Sequence, residues 1–428
     1  MRGLVAESWL LASGVIIGVG MLAESTVTIA LGALLFATGA FARLWSRLAL
    51  VEVGYERDLA MRRAFVGETV DVTTRLSNAK LLPVPWLELR EQVPRDLPIE
   101  GARVRPSGIP RVSLIQRSTS LAGNQALDWS FTLAPNERGY YRLGPARLRS
   151  GDLFGFFERE AQLDHQDSLL VYPQTFDLPD LGLDSERPFG DRRGGNRIFE
   201  DPSRVVGVRD YLPGDPLKRV DWNATARVGR LQSRLYEPSR TLATVVALNV
   251  TTMEHSWEGY IPLLLERNIS VAASIARHVA EAGEAVGLIA NGAFPDSDRP
   301  IRIGASSHPD QLVHILEALA TIAPFTTSTL SGELESRTHP LPVGANVVVV
   351  AALMPHDLVA TLTRLRSEGH TVHVVKTSDA EWDASFGRSI PVHDVSSFAA
   401  ALEERSGMHA TAVPERLRTA SSPAGGAR

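Results

Sequence analysis

Two near-continuous apolar runs, residues 8–23 and 26–42, open the chain and are separated by little more than Glu24 and Ser25. A helix needs about 20 residues to cross the hydrocarbon core of a bilayer, with a range of roughly 17 to 25. With Trp9 and Trp45 as interfacial ends, each run just reaches, and the pattern predicts a transmembrane helical hairpin over residues 1–47. A second apolar run directly after the first, with no clear cleavage site before it, argues against a cleaved signal peptide. Arg2 flanks one end, and Arg43, Arg47, Arg57, Arg62 and Arg63 follow the other, while the connecting turn carries no positive charge. The positive-inside rule therefore places both ends on the cytoplasmic face of the cell (inner) membrane, in a multi-pass protein with cytoplasmic soluble domains. Gly14 and Gly18 offer a small pair four residues apart for packing the two helices.

From about residue 48 the period shortens to two. Residues 69–76, 86–93, 112–121, 126–133 and 140–148 alternate apolar and polar positions, and Pro83, Pro94, Gly108, Gly123 and Pro135-Asn136 punctuate them. Such a run of short strands predicts an antiparallel sandwich of immunoglobulin or fibronectin-like type over residues 48–176. Residues 177–205 are rich in Gly, Asp, Arg and Pro without periodicity and read as a linker or extended wrap; together with a turn-helix segment they reach residue 238. Beyond residue 239 buried-type strands alternate with helical periods. Residues 241–250, 285–290, 346–353 and 371–376 read as strands, and residues 260–282, 309–322 and 356–367 as helices. That alternation predicts an α/β domain over residues 239–405, with a mostly parallel sheet covered on both faces. Residues 406–428 are small, polar and proline-containing, and are expected to be disordered.

The densest local signals lie in residues 211–227. Pro213-Gly214 suits the centre of a type II turn, Asp215 reads as a helix N-cap, and Pro216 follows at the first helical position. Gly229 is a plausible stop. On a helix over residues 216–228, Leu217, Val220, Ala224 and Val228 share one face, Arg219, Asn223 and Arg227 form a row beside it, and Trp222 lies roughly opposite. Two readings stay open. Either Trp222 packs under a neighbouring loop and the arginines are solvated or paired, or Trp222, Arg219 and Arg227 form a docking surface of the residue types that anchor interfaces.

The run Tyr211, Pro213, Gly214, Asp215, Arg219, Asp221, Trp222, Arg227, followed by Leu231 and Glu237, resembles the signature of domain-of-unknown-function family 58. Arg138-Gly139-Tyr140-Tyr141, Leu143-Gly144-Pro145 and Asp152-Leu153-Phe154-Gly155 resemble the strand-turn-strand region ahead of it. The resemblance implies an α/β part of von Willebrand factor A-like type and partnership with a MoxR-type AAA+ ATPase, in complex assembly, metal insertion or envelope maintenance. Many von Willebrand factor A domains hold Mg²⁺ after their first strand through Asp-x-Ser-x-Ser, a hard-cation set of oxygens. Here Asn249 replaces the Asp, Thr251 can replace the first Ser, and Met253 cannot serve as the last oxygen ligand. The expectation is a degenerate site with severely weakened Mg²⁺ binding, and no cofactor.

Composition adds limits. At 428 residues the chain has room for two or three domains, and a net charge of −5 argues against a dedicated nucleic-acid binder. With no cysteine, disulfides, zinc ribbons and thiol catalysis are excluded. Residues 187–240 carry eleven arginines and Lys218 against seven acidic residues, a local excess suited to an acidic partner surface or to an apron facing the membrane. There is no Walker A loop, no HExxH helix and no Gly-x-Ser-x-Gly elbow. His370 and His373 start a strand on opposite faces, and His308 and His314 read as surface residues. Asp215 is better explained as a cap and Asp221 as an arginine partner than as an acid/base pair. The chain is therefore expected to be a non-enzymatic, membrane-anchored adaptor. A ligand- or Mg²⁺-sensing module built on the loops around residues 249–253, and a hydrolase using carboxylates near Asp215, are the alternatives.

Overall fold

The computed structural model describes residues 2–183, 200–212, 215, 217–238, 243–255, 258–295, 297, 299–326, 328–336, 338, 340–382 and 390–405. They fall into two compact units, Met1–Tyr172 and Pro173–Arg428. The tail read as disordered, residues 406–428, and the Pro213-Gly214 turn lie outside the described residues.

The first unit begins with two helices, α1 (Arg2–Leu22) and α2 (Thr26–Leu48). Ser25 caps α2, its hydroxyl accepting from the backbone N–H of Thr28. Among the described residues one helix, α2, is long and apolar enough to cross a membrane, its most apolar window having a mean hydropathy of 1.8 and being only 17% buried; the apolar part of α1, Leu11–Leu22, is shorter than the span expected of it. Leu11, Val15 and Val19 of α1, and Leu31, Leu34 and Leu44 of α2, are exposed. The close approach of the helices is not at Gly14 and Gly18, which have nothing near them. It is at Gly20, where a Cβ would sit 2.8 Å from the Ile29 backbone nitrogen, and at Gly32, 2.7 Å from the Ile17 side chain. Glycine is needed where backbones meet, and spacing alone does not say which side of a helix meets its neighbour.

Strands β1 (Val53–Leu59), β2 (Arg63–Phe65), β3 (Val70–Asn78), β4 (Val84–Pro94), β5 (Ile99–Glu100), β6 (Val104–Pro106), β7 (Val112–Leu121), β8 (Ala126–Leu133), β9 (Gly139–Leu143), β10 (Ala146–Gly151), β11 (Glu158–Leu163) and β12 (Asp167–Tyr172) follow. A sheet in the order β1-β3-β8-β5 faces one ordered β11-β10-β4-β7-β6, and a small β2-β12-β9 sheet completes the unit. The sandwich core joins Leu76 of β3 to Val84, Leu87 and Leu89 of β4, Leu121 of β7 and Leu148 of β10. Alternation explains this: in β3 every second residue is buried while its neighbours face out. The single strand expected over residues 140–148 is instead β9 and β10, in different sheets. Gly144, at φ +99°, turns the chain between them so tightly that a Cβ would lie 2.5 Å from the His165 carbonyl oxygen.

Arg57 is not a juxtamembrane charge. It is buried in the β unit, its Nε donating to Asp167 at 2.8 Å, its Nη2 to the Leu143 carbonyl at 2.8 Å, and its Nη1 lying 3.6 Å from Glu91. Of the arginines expected beside the membrane, Arg43 and Arg47 stand on α2 itself. Lys80 donates from Nζ to the carbonyls of Ala49 and Val51 at 3.1 and 2.7 Å, satisfying the chain end of α2, and burial lowers its pKa.

The second unit contains the hairpin β13 (Glu200–Asp210) and β14 (Gln232–Pro238), with helix α3 (Trp222–Val228) between them. Strand β13 therefore starts within the stretch expected as linker. The α/β part runs β15 (Thr244–Leu248), α4 (Pro262–Glu281), β16 (Val286–Ala293), β17 (Pro300–Ser306), α5 (Gln311–Thr321), α6 (Leu330–Leu334), β18 (Asn346–Ala351), α7 (His356–Ser367), β19 (Thr371–Lys376), β20 (Val392–Asp394) and α8 (Ser396–Arg405). Its sheet is mixed, ordered β17-β16-β15-β18-β19-β20, with only the β16–β17 pair antiparallel. Every residue of β15 is buried, as expected of a strand covered on both faces. Val245, Ala247, Val347 and Val349 pack under α6 and α7, and α4 covers the opposite face. His373 pairs with His393 on the neighbouring strand, ring nitrogens 3.3 Å apart, and burial followed by the His393 charge pushes its pKa down to about 4.

Candidate functional site

The residues of the 211–227 run form the tip of the β13–β14 hairpin. The two strands pair through Arg209 with Ser233 and Asp210 with Gln232. Across the base of the tip, the backbone N–H of Tyr211 donates to the Leu231 carbonyl at 2.9 Å, and that of Asp221 to the Gln232 carbonyl at 2.8 Å. Residues 217–219 form one 3₁₀ turn, Val220 makes a bridge to Ser233, and only then does α3 begin. The helix expected over residues 216–228 therefore starts six residues later, at Trp222.

The two aspartates exchange the roles expected of them. Asp215 does not cap the helix; its carboxylate accepts from Arg209 Nη2 at 2.8 Å and from the Leu212 N–H at 3.1 Å. The hydroxyl of Tyr211 donates to the Asp215 carbonyl at 2.9 Å, closing the loop. The cap is Asp221, which accepts from the Ala224 N–H at 3.0 Å and from Arg234 Nε at 3.0 Å, so the arginine partnership expected of it is also present. Gly229, at φ +70°, ends the helix as expected. Arg209 first, then the Leu212 amide, holds the Asp215 carboxyl below the usual range. The Ala224 amide first, then Arg234, does the same for Asp221. Both carboxylates are thereby committed to shaping the tip, which leaves neither poised as a general acid.

Asp221→Ala should loosen α3 without unfolding the unit, raising amide exchange at Ala224 and Thr225 severalfold. The depressed carboxyl pKa means that the cap's contribution is complete above the ordinary aspartate range. It is lost as pH falls through the depressed value, so the variant and the parent should converge in acid. Equal exchange in the two proteins at neutral pH would show that the cap does nothing for the tip.

What the framework displays is apolar. The stripe expected on one helical face is not buried as a stripe: Val220 is, through its bridge, but Leu217 is 69% exposed and Val228 50%. Trp222 is 66% exposed, and Leu212 and Leu231 flank it in the chain with open side chains. Arg227 stands exposed in the last turn of α3, and Arg219 is half-buried on the 3₁₀ turn beside Asp215. Glu237 lies in β14.

A second polar cluster sits at the carboxyl end of β15. Asn249 is buried; its Nδ2 donates to the Leu353 carbonyl at 3.2 Å, and its Oδ1 accepts from the Thr251 N–H at 3.1 Å. Asn291, at the matching end of β16, is central. Its Oδ1 accepts from the Val250 N–H at 2.9 Å, and its Nδ2 donates to Asn249 Oδ1 at 3.1 Å and to Thr251 Oγ1 at 3.2 Å. Asn268 of α4 donates to the Asn249 carbonyl at 3.0 Å and accepts from the Thr377 hydroxyl. Thr252 accepts from the Ile261 N–H at 2.8 Å. The oxygens that a cation would need are thus taken up by amide hydrogens, no carboxylate among the described residues joins them, and Met253 offers a thioether. The residues do not fit Mg²⁺. Among the described residues, no three His, Asp or Glu side chains gather where an ion could be held. Asn268 and Asn291 carry no motif; the signal of Asn291 is an amide after an apolar run, and Asn268, behind Glu266-Arg267, has none.

A family profile described as "Protein of unknown function DUF58" matches residues 207–389. That span takes in the hairpin tip and the asparagine cluster, and the resemblance read from residues 211–227 falls inside it. "Uncharacterized protein YeaD" of Bacillus subtilis (strain 168) is 25% identical over 331 residues, 76% of each chain. Among solved structures, a CARDB domain from Pyrococcus furiosus aligns with 28% of this chain and 91% of its own, at 14% identity and a TM-score of 0.18. A non-cellulosomal cohesin from Archaeoglobus fulgidus aligns with 27% of this chain and 90% of its own, at 12% identity and a TM-score of 0.19.

Proposed function

We propose that this chain is a membrane-held docking protein that performs no chemistry itself. In this reading α1 and α2 both cross the inner membrane, Arg2, Arg43 and Arg47 hold their ends on the cytoplasmic side, and the β unit serves as a spacer. The α/β unit, of von Willebrand factor A-like type, then presents the hairpin tip to a MoxR-type AAA+ ATPase. The observation that carries the reading is the exposure of Trp222 on a tip held by the Tyr211–Asp215 bond and the Asp221 cap. Tryptophan, leucine and arginine held out by a rigid frame have the composition of an interface anchor, and ordering them in advance lowers the entropy lost on binding.

The test is co-purification, in mild detergent, of the full chain with the MoxR-type ATPase of the same organism. Trp222→Ala is expected to cost about 2 kcal/mol or more, roughly 30-fold in Kd. Arg219→Ala should weaken capture less. Unchanged recovery of the ATPase with both variants would falsify the docking role of the tip.

A further inference from the structure

The β10–β11 turn, residues 152–157, is built like a binding element and leaves most of its apolar side chains exposed. Leu153, Phe154 and Phe156 are all exposed, Phe154 by 55%. The turn is nevertheless firmly held. The buried carboxylate of Asp152 accepts from the N–H groups of Phe154 and Phe157 at 2.8 and 2.6 Å, and the Trp86 indole donates to the Asp152 carbonyl at 3.1 Å. A frame that holds three large apolar side chains out of its own core needs something else to cover them.

The position of the turn says what that is. Trp9, near the start of α1, stacks on Phe156 with ring centroids 5.3 Å apart, and Phe156 stacks on Phe154 at 5.7 Å. Helix α2 packs against β10 and β11. The aromatic turn is therefore continuous with the exposed apolar surface of the two helices, at the end where α2 passes into β1. The β3–β4 turn reaches the same end: Lys80 donates to the carbonyls of Ala49 and Val51, just past α2, and its neighbour Leu81 is 84% exposed. Aromatic and aliphatic side chains beside the end of a spanning helix sit at headgroup depth.

We propose that Leu153, Phe154 and Phe156, with Leu81, insert into the headgroup layer of the bilayer that α1 and α2 cross, docking the β unit on the membrane surface at a fixed tilt. This rests on the membrane-spanning reading above, and the test separates the two. The chain has no cysteine, so single-cysteine variants need no background removal. Full-length Phe154→Cys, Leu31→Cys and Asn136→Cys proteins would each carry an NBD fluorophore in phosphatidylcholine–phosphatidylglycerol vesicles doped with lipids spin-labelled at shallow or deep positions. Leu31 lies on the exposed surface of α2. Asn136 follows β8 at the Val70–Leu133 end of the β3–β8 pair, away from the α2–β1 junction, where Val53 pairs with Asn78.

The expected result is deep quenching at position 31, loss of most of the signal to the shallow label with blue-shifted emission at position 154, and neither at 136. Leu81→Cys should repeat the result for 154 with the aromatic stack left intact. If 31 is quenched while 154 and 81 behave like 136, the helices span and the turns stay in water, which overturns the proposal. Shallow quenching at 136 as well overturns it too, since nothing would then be particular to these turns. Failure to quench at 31 removes the spanning reading, and the headgroup contact with it.

Discussion

Arg57→Ala should be the most damaging single change in the β unit, costing about 3–5 kcal/mol, because it strips the cation from two buried carboxylates. Asp167 is 6% exposed and keeps only His165, 3.2 Å away, and the distant, exposed Arg62. Glu91 is 1% exposed, accepts from the Tyr55 hydroxyl at 2.5 Å, and has an Oε2 without a partner. Burial pushes the Glu91 carboxyl up from its ordinary value, against the opposing pull of Tyr55 and Arg57. A carboxyl raised in the folded state contributes most below its unfolded pKa and loses that contribution as pH rises through the folded one. Removing Arg57 raises it further. The deficit of the variant should therefore be larger at pH 8 than at pH 5, readable as a lowering of the unit's melting midpoint by roughly 10 °C or more. A second substitution, Glu91→Gln, keeps an acceptor for Tyr55 and should flatten the pH dependence while leaving stability at neutral pH nearly unchanged. A deficit in Arg57→Ala that is small and independent of pH would show that the ion cluster is solvated.

That cluster also marks where the sequence stops being informative. Arg57 stands in β1, soon after the two N-terminal helices, and its nearest context in the sequence is a series of arginines. Its partner Asp167 is 110 residues away, a pairing no local pattern announces. The same limit appears at Gly20 and Gly32: small residues are visible in the sequence, but which of them meet the other helix depends on how both helices are turned. Continuous apolar runs did better. Residues 241–250, 346–353 and 371–376 became β15, β18 and β19 within a few positions, because a strand covered on both faces has no polar side to blur it. The edge strands β17 and β20 lack such a run and were not read from the sequence.

At the hairpin tip the sequence pointed to Asp215 as the cap and to Asp221 only as an arginine partner. Asp215-Pro216 satisfied the local rules, yet Arg209 and the Leu212 amide occupy the Asp215 carboxylate. The bridge from Val220 to Ser233 then keeps the preceding residues out of the helix, leaving Asp221 to start it. Tertiary contacts overrode the local cap preference at Asp215 and moved the helix start to the next aspartate. The delayed helix is too short to bury the expected stripe, and Leu217 and Val228 stay exposed.

Asn291→Ala is expected to cost about 2–4 kcal/mol and to act on the α/β unit alone, through unmade hydrogen bonds rather than lost volume. The Val250 N–H, fully buried, would lose its acceptor, and Thr251 Oγ1 and Asn249 Oδ1 would each lose a donor. Asn249 retains its link to Leu353 and the amide of Thr251, so the strand end should loosen rather than unravel. Amide exchange should rise first at Val250 and Thr251, with the midpoint of the α/β unit falling and that of the β unit fixed. The same cluster predicts how the parent protein answers Mg²⁺. A ligand of the native state raises its melting midpoint in proportion to occupancy. With both side-chain oxygens of the strand end already accepting from the Asn291 amide, millimolar Mg²⁺ should leave the midpoint where EDTA leaves it. A rise that saturates with Mg²⁺, and that disappears in Asn249→Ala, would mean that the amide gives way to the ion, and that this strand end is a ligand site after all.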